Sequence, residues 1–246
     1  MNARIAIDHL VGVLRQLCEK QMATLRIDNY VQPHCEVSFL RGTAQVFRFY
    51  LPYLPSEGRI LDWGCRHAPD ACLIRTALGD RVTLDGCDVM EQDQYPVFYG
   101  YAGLHYERLE EIVRLPYPDS TFDAVVASGV LEHVPMDYES LKELYRVLKP
   151  GGRLILTYLP NRASVEEWRL RSRNRDFHRR LYTRSETLRL LEHTGFIPLA
   201  AGFQTQLDLL RVESAAMRLL RPFLRLLRLH RLTACLCAVA EKTAYF

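Results

Sequence analysis

Three short stretches place chemically able side chains directly after apolar runs. The segment Arg59-Ile-Leu-Asp-Trp-Gly-Cys-Arg-His-Ala-Pro-Asp carries Asp62 at the end of its run and Gly64 just beyond it. Gly86-Cys87-Asp88 closes a second run, with Asp85 shortly before. Ser128-Gly129-Val130-Leu131-Glu132-His133-Val134 follows a third. A carboxylate at a strand end accepts charge-assisted hydrogen bonds from an amine or, with its two oxygens, from a vicinal diol. A glycine after it lets a ligand approach the backbone with no Cβ in between. His133, with an ordinary pKa of about 6.5, has the chemistry of a general base near neutral pH.

Such groups work only if strands and helices bring them to one edge. From Arg59 apolar runs alternate with helical patterns, which predicts an α/β fold: a Rossmann-like, doubly wound sheet of seven strands. Strands are expected near 59–63, 81–87, 104–107, 122–128, 152–158, 196–203 and 233–240, and helices near 69–79, 137–147 and 184–194. Right-handed crossovers then set the first and fourth strands side by side where the order reverses, and a ligand crevice opens at their carboxyl ends. Pro69 suits the first turn of the helix that follows Gly64. Upstream, apolar residues at three-and-four spacing predict helices over 4–26 and 39–54, leading into the sheet and capping its edge or its opening.

The bulk properties exclude several classes. With 246 residues, 48% hydrophobic and 25% charged, the chain suits one α/β domain with appendages. A net charge of +3 carries no global nucleic-acid signature. The seven cysteines include no Cys-x-x-Cys pair, so neither a disulfide framework nor a metal site is expected, and a reducing, cytoplasmic setting follows. Charged residues interrupt the first twenty positions, arguing against a secretory leader, and no run is long and apolar enough to cross a membrane.

Two further segments complete a pattern: Leu115-Pro116-Tyr117-Pro118-Asp119-Ser120-Thr121-Phe122-Asp123 and Leu148-Lys149-Pro150-Gly151-Gly152. With the three stretches above, their joint spacing over roughly 58–203 resembles the class I S-adenosylmethionine-dependent methyltransferases, in particular the small-molecule branch (methyltransferase types 11 and 23). The resemblance implies S-adenosylmethionine as cofactor and a last strand that runs antiparallel. It places Asp62, Gly64, Cys65 and Arg66 around the cofactor's methionine, Asp88 (with Asp85 as rival) and Val89 at the ribose, and Glu111 (with Glu110 beside it) at the adenine. Ser128 and Gly129 line the cofactor, and His133 stands where a catalytic base would act. The sequence departs from Gly-x-Gly-x-Gly at Arg66 and Ala68. Arg66 then swings to solvent, reaches the cofactor's carboxylate, or blocks the pocket.

The domain reading is an N-terminal helical cap over 1–57 and a methyltransferase domain over 58–246, with a lid at 159–183 and an amphipathic helical insertion at 206–231. The lid is rich in arginine, and its His178-Arg179-Arg180-Leu181-Tyr182-Thr183 segment resembles that of relatives acting on sugars and glycolipids. His178, Arg180 and Tyr182 are therefore candidates for acceptor contact, and the arginines suit an anionic acceptor. The arginine-flanked apolar stripe of 206–231 fits either a helix packed on the sheet or peripheral contact with an anionic membrane. The expected function is methyl transfer to a small-molecule, sugar or lipid-linked acceptor at oxygen. The rivals are a non-catalytic relative serving as a partner subunit, which Arg66 and Ala68 favour, and an RNA methyltransferase.

Overall fold

Seven strands, β1 (Gly58–Trp63), β2 (Val82–Asp88), β3 (Leu104–Arg108), β4 (Phe122–Ser128), β5 (Leu148–Pro160), β6 (Phe196–Gln204) and β7 (Cys235–Lys242), make one sheet. Their order is β3-β2-β1-β4-β5-β7-β6. β1 pairs in parallel with β2 on one side and β4 on the other, so the order reverses between β1 and β4 as expected. β7 lies antiparallel between β5 and β6. The computed structural model describes residues 5–25, 29, 31–91, 94–111, 113–172, 178, 180–204 and 235–244. The amphipathic stretch at 206–231 lies outside the described residues.

Strand alternation builds two cores. Ile60, Leu84, Ala124, Val126 and Ile155 face one layer, shared with α1 (Ile7–Thr24), α2 (Val37–Tyr50), α3 (Pro69–Leu78) and α4 (Pro96–Ala102). Leu61, Trp63, Val125, Ala127 and Leu154 face the other, shared with α5 (Asp137–Val147) and α7 (Arg184–His193). Leu10, Leu14, Phe47 and Tyr50 are fully buried, so the N-terminal helices pack into the same core as the sheet. Burial of each such side chain contributes about 1.5–3 kcal/mol.

Two helices escape the sequence pattern. α4 is short, opens on Pro96 and contains Gly100, so it has little helical signature. α6 (Val165–Ser172) reads VEEWRLRS, with no apolar stripe to mark it within the expected connection. β5 also starts earlier than its apolar run: Phe122 pairs with Leu148 across Lys149-Pro150-Gly151-Gly152, and the register shifts before Ala124 meets Arg153. A turn-like sequence there is carried by a bulge. α7 begins with a reciprocal capping box between Thr183 and Glu186.

Candidate cofactor and acceptor site

The loop after β1 is bound to the end of β2. The amides of Gly64 and Cys65 donate to the Cys87 carbonyl at 2.8 and 3.2 Å. Gly64 (φ 69°), Arg66 (φ 44°) and Ala68 (φ 53°) all lie in the left-handed region. The loop thus holds left-handed backbone at three positions although only the first is glycine. For an L-residue that conformation costs about 1–2 kcal/mol. Gly64 has a steric reason to remain glycine, because a Cβ there would meet Val130 Cγ2 at 2.5 Å.

Asp88 ends β2 half-exposed. Its Oδ2 accepts from the Arg66 amide at 2.8 Å and its Oδ1 from the Val89 amide at 2.7 Å. Each carboxylate oxygen retains a second lone pair. Asp85, its rival, is buried in the middle of the strand and chelates the Arg59 guanidinium with two 2.7 Å bonds. Asp88 is thereby the carboxylate left facing the crevice. Val89 beside it is 54% exposed, an apolar surface next to the acid.

At the crevice floor two carboxylates lie buried. Asp62 accepts from the Ala71 amide at 3.3 Å, so a free N–H of the α3 start is taken up by protein. Asp70 receives the Tyr50 hydroxyl from α2, and the Ser128 hydroxyl bonds to it from the end of β4. Thr157 in β5 donates in turn to Ser128 at 2.8 Å. Burial first, then the charge of Asp70, pushes the Asp62 carboxyl well above the usual carboxylate range. Burial also raises Asp70, against the opposing hydroxyl bonds. Neither acid has an ion pair with a lysine or arginine among the described residues. Burial likewise raises the Cys65 thiol, so it is an inert wall rather than a nucleophile.

At the rim beyond β4, Gly129 (φ 68°) donates to the Thr157 carbonyl at 3.0 Å and starts the turn that carries Glu132 and His133. Tyr158 (φ 59°), the one non-glycine β5 residue in the left-handed region, lies beside it, its Cβ 3.8 Å from where a Cβ on Gly129 would be. Glu132 is 2% exposed, and burial, with Glu167 adding, pushes its carboxyl up to about 8. His133 Nε2 lies 3.8 Å from Glu132 Oε1. Its pKa is lowered by burial and by neighbouring His178. The His133 and His178 rings are 5.6 Å apart, and His178 Nδ1 meets Glu167 Oε1 of α6 at 2.8 Å.

The remaining candidates hold the turn rather than face the crevice openly. Arg180 donates to the carbonyls of Val134 and Pro135 and lies 3.6 Å from Asp137. Tyr182 is buried, and its hydroxyl donates to Asp137 Oδ2 at 3.1 Å. Glu110 and Glu111 are exposed on the segment after β3, which the Leu109 amide ties to the Asp88 carbonyl at 2.7 Å. Tyr50, Asp70, Tyr158, Glu132 and Glu167 complete the site without having been singled out in the sequence. Glu132 sat beside a chosen histidine, and the left-handed backbone at Tyr158 leaves no mark in residue type.

A family profile described as a methyltransferase domain matches residues 38–200. The chain belongs to the methyltransferase-domain family. A 27-O-demethylrifamycin SV methyltransferase of Amycolatopsis mediterranei is 34% identical over 121 residues, covering 46% of this chain and 44% of that protein. The chain spans about half the length of such curated relatives. Among solved structures, a geranyl diphosphate methyltransferase in complex with S-adenosylmethionine superposes with a TM-score of 0.60 at 15% identity, covering 85% of this chain and 88% of that one. An S-adenosylmethionine-dependent methyltransferase from Thermotoga maritima gives 0.59 at 16% identity, covering 96% and 100%. These two share the fold.

The family's cofactor is S-adenosylmethionine, and the crevice residues fit it. A molecule with an ammonium and a sulfonium supplies the positive charge that buried Asp62 and Asp70 lack, and Asp88 retains acceptor capacity for a diol.

Proposed function

We propose that this methyltransferase-family chain transfers a methyl group from S-adenosylmethionine to an oxygen of a small-molecule acceptor. When bound, the cofactor supplies a methyl carbon on a positively charged sulfur; the acceptor's lone pair takes that carbon while the C–S pair returns to sulfur. Asp88 holds the ribose hydroxyls, Asp62 orients the amine, and Val89 offers apolar surface at the base. Ser128 and Gly129 line the approach to the acceptor, whose proton leaves toward His133. The observation that carries the oxygen assignment is the pairing of His133 and His178 at the crevice rim, each beside a buried glutamate. The name of the rifamycin relative supports oxygen as the methylated atom.

The left-handed backbone at Arg66 and Ala68 supports a working loop over the non-catalytic alternative. Arg162 donates to the Leu181 carbonyl and pairs with Glu186, and Arg180 is taken up as described. Arg169 and Arg171 of α6 are exposed and add positive charge to the segment, which supports an anionic acceptor. His133→Ala tests the reading: turnover of an acceptor found by screening hydroxylated small molecules should fall about 100-fold or more, with cofactor affinity unchanged. Wild-type turnover in that variant would return His133 to a packing role.

A further inference from the structure

The geometry points to a divalent transition-metal site formed by Glu132, His133 and His178 at the acceptor rim, with Glu167 holding the His178 ring. This inference rests on reading that rim as the acceptor end. One ligand atom from each of the three residues lies within 4.8 Å of the other two. Ligand atoms around a tetrahedral ion at about 2.0–2.1 Å lie about 3.4 Å apart, so side-chain rotations of roughly 1 Å close the set. Two imidazoles and a carboxylate are a donor set that zinc, iron, cobalt and nickel accept.

Two independent features favour an ion here over a plain hydrogen-bonded cluster. Glu132 is 2% exposed, with Oε1 turned toward His133 and Oε2 lacking any hydrogen-bond partner among the described residues. A buried carboxylate oxygen left unbonded is costly unless a cation meets it. His178 hands Nδ1 to Glu167 at 2.8 Å, the carboxylate–histidine pairing that commonly fixes the ring of a metal ligand and raises its basicity. The only basic side chains paired with Glu132 and Glu167 among the described residues are these two histidines, so no lysine or arginine already occupies the cation's place. His133 and His178 are 47% and 24% exposed, which leaves an entry path and an open coordination position toward the acceptor. An ion there would draw an acceptor hydroxyl into line with the methyl and make its proton easier to lose, so that with the ion bound His133 acts as a ligand and not as the proton acceptor. The sequence concealed the site because Glu132-His133 and His178 lie on opposite sides of β5 and α6.

The test is titration of the chelator-stripped 246-residue chain with Co²⁺, read by its visible d–d absorption, with Zn²⁺ as competitor. Wild type should take up one equivalent. Glu132→Gln and His178→Ala should each weaken binding at least tenfold, and Glu167→Gln by about tenfold, while all three retain cofactor binding as proof of folding. Absence of a d–d band in wild type, or equal titration by wild type and Glu132→Gln, would overturn the site. Because neither acceptor nor cofactor is present, a chain that binds Co²⁺ without transferring methyl loses the proposed function and keeps the site. One that transfers methyl but binds no Co²⁺ does the reverse.

Discussion

Replacing Gly64 by alanine isolates what the loop after β1 demands. At φ 69° an L-residue carries about 1–2 kcal/mol of backbone strain. The new Cβ would also stand 2.5 Å from Val130 Cγ2 and 2.8 Å from Cγ1. Valine is stiff at χ1 and cannot swing aside cheaply, so overpacking adds about 1–3 kcal/mol. Gly64→Ala should therefore lose about 2–5 kcal/mol, read as a lower denaturation midpoint at unchanged slope. Val130→Ala removes both clashing methyls, so the pair should couple by about 1–3 kcal/mol in a double-mutant cycle. The dihedral strain and a tight 3.2 Å contact with the remaining Cβ of residue 130 should persist in the double variant. Ala68→Gly is the control: relief of the same strain is offset by glycine's entropy, about 0.5–1 kcal/mol, and by the loss of a buried methyl worth about 0.8 kcal/mol. It should be near neutral, where the same change inside an ordinary helix costs about 1 kcal/mol. A Gly64→Ala variant within about 0.5 kcal/mol of wild type, or strict additivity with Val130→Ala, would refute the steric argument.

Tyr50→Phe keeps the ring packed on Phe47 but removes a donor from buried Asp70, and should cost about 1–3 kcal/mol in urea unfolding; an unchanged midpoint would mean that Ser128 suffices. Glu143 responds to pH: burial pushes its carboxyl up, but the Arg146 guanidinium and the Leu115 amide outweigh it and hold it below the usual range. Its contribution is then full above the unfolded value of about 4.3 and lost as pH falls through the lower folded value. The stability gap between wild type and Glu143→Gln should accordingly shrink from about pH 6 to about pH 3, and a gap constant with pH would contradict the assignment.

The sheet was legible because its strands announce themselves. β4 matches its expected bounds of 122–128, and Asp62, Asp88 and Ser128 stand at strand ends where chain order alone puts them at the crevice. Legibility fails where the determinant is not residue type. Arg66 and Ala68 look like lost glycines, yet both hold left-handed backbone, which only coordinates reveal. Asp70 reads as a helix-start acid of α3 and proves to be a buried partner of Tyr50 and Ser128, three elements joined by long-range packing. His133 and His178 were singled out separately, but their meeting depends on how the connection through α6 folds back, and α6 has no periodicity to announce it.

Whether the loop after β1 still makes a cofactor pocket is decided by calorimetric titration with S-adenosylmethionine and its demethylated product. Wild type should bind both with one site. Asp88→Ala should weaken binding at least tenfold, about 1.4 kcal/mol, with its circular dichroism unchanged. Absence of binding to either compound by folded wild type would contradict the pocket and make the chain a non-catalytic member of its family.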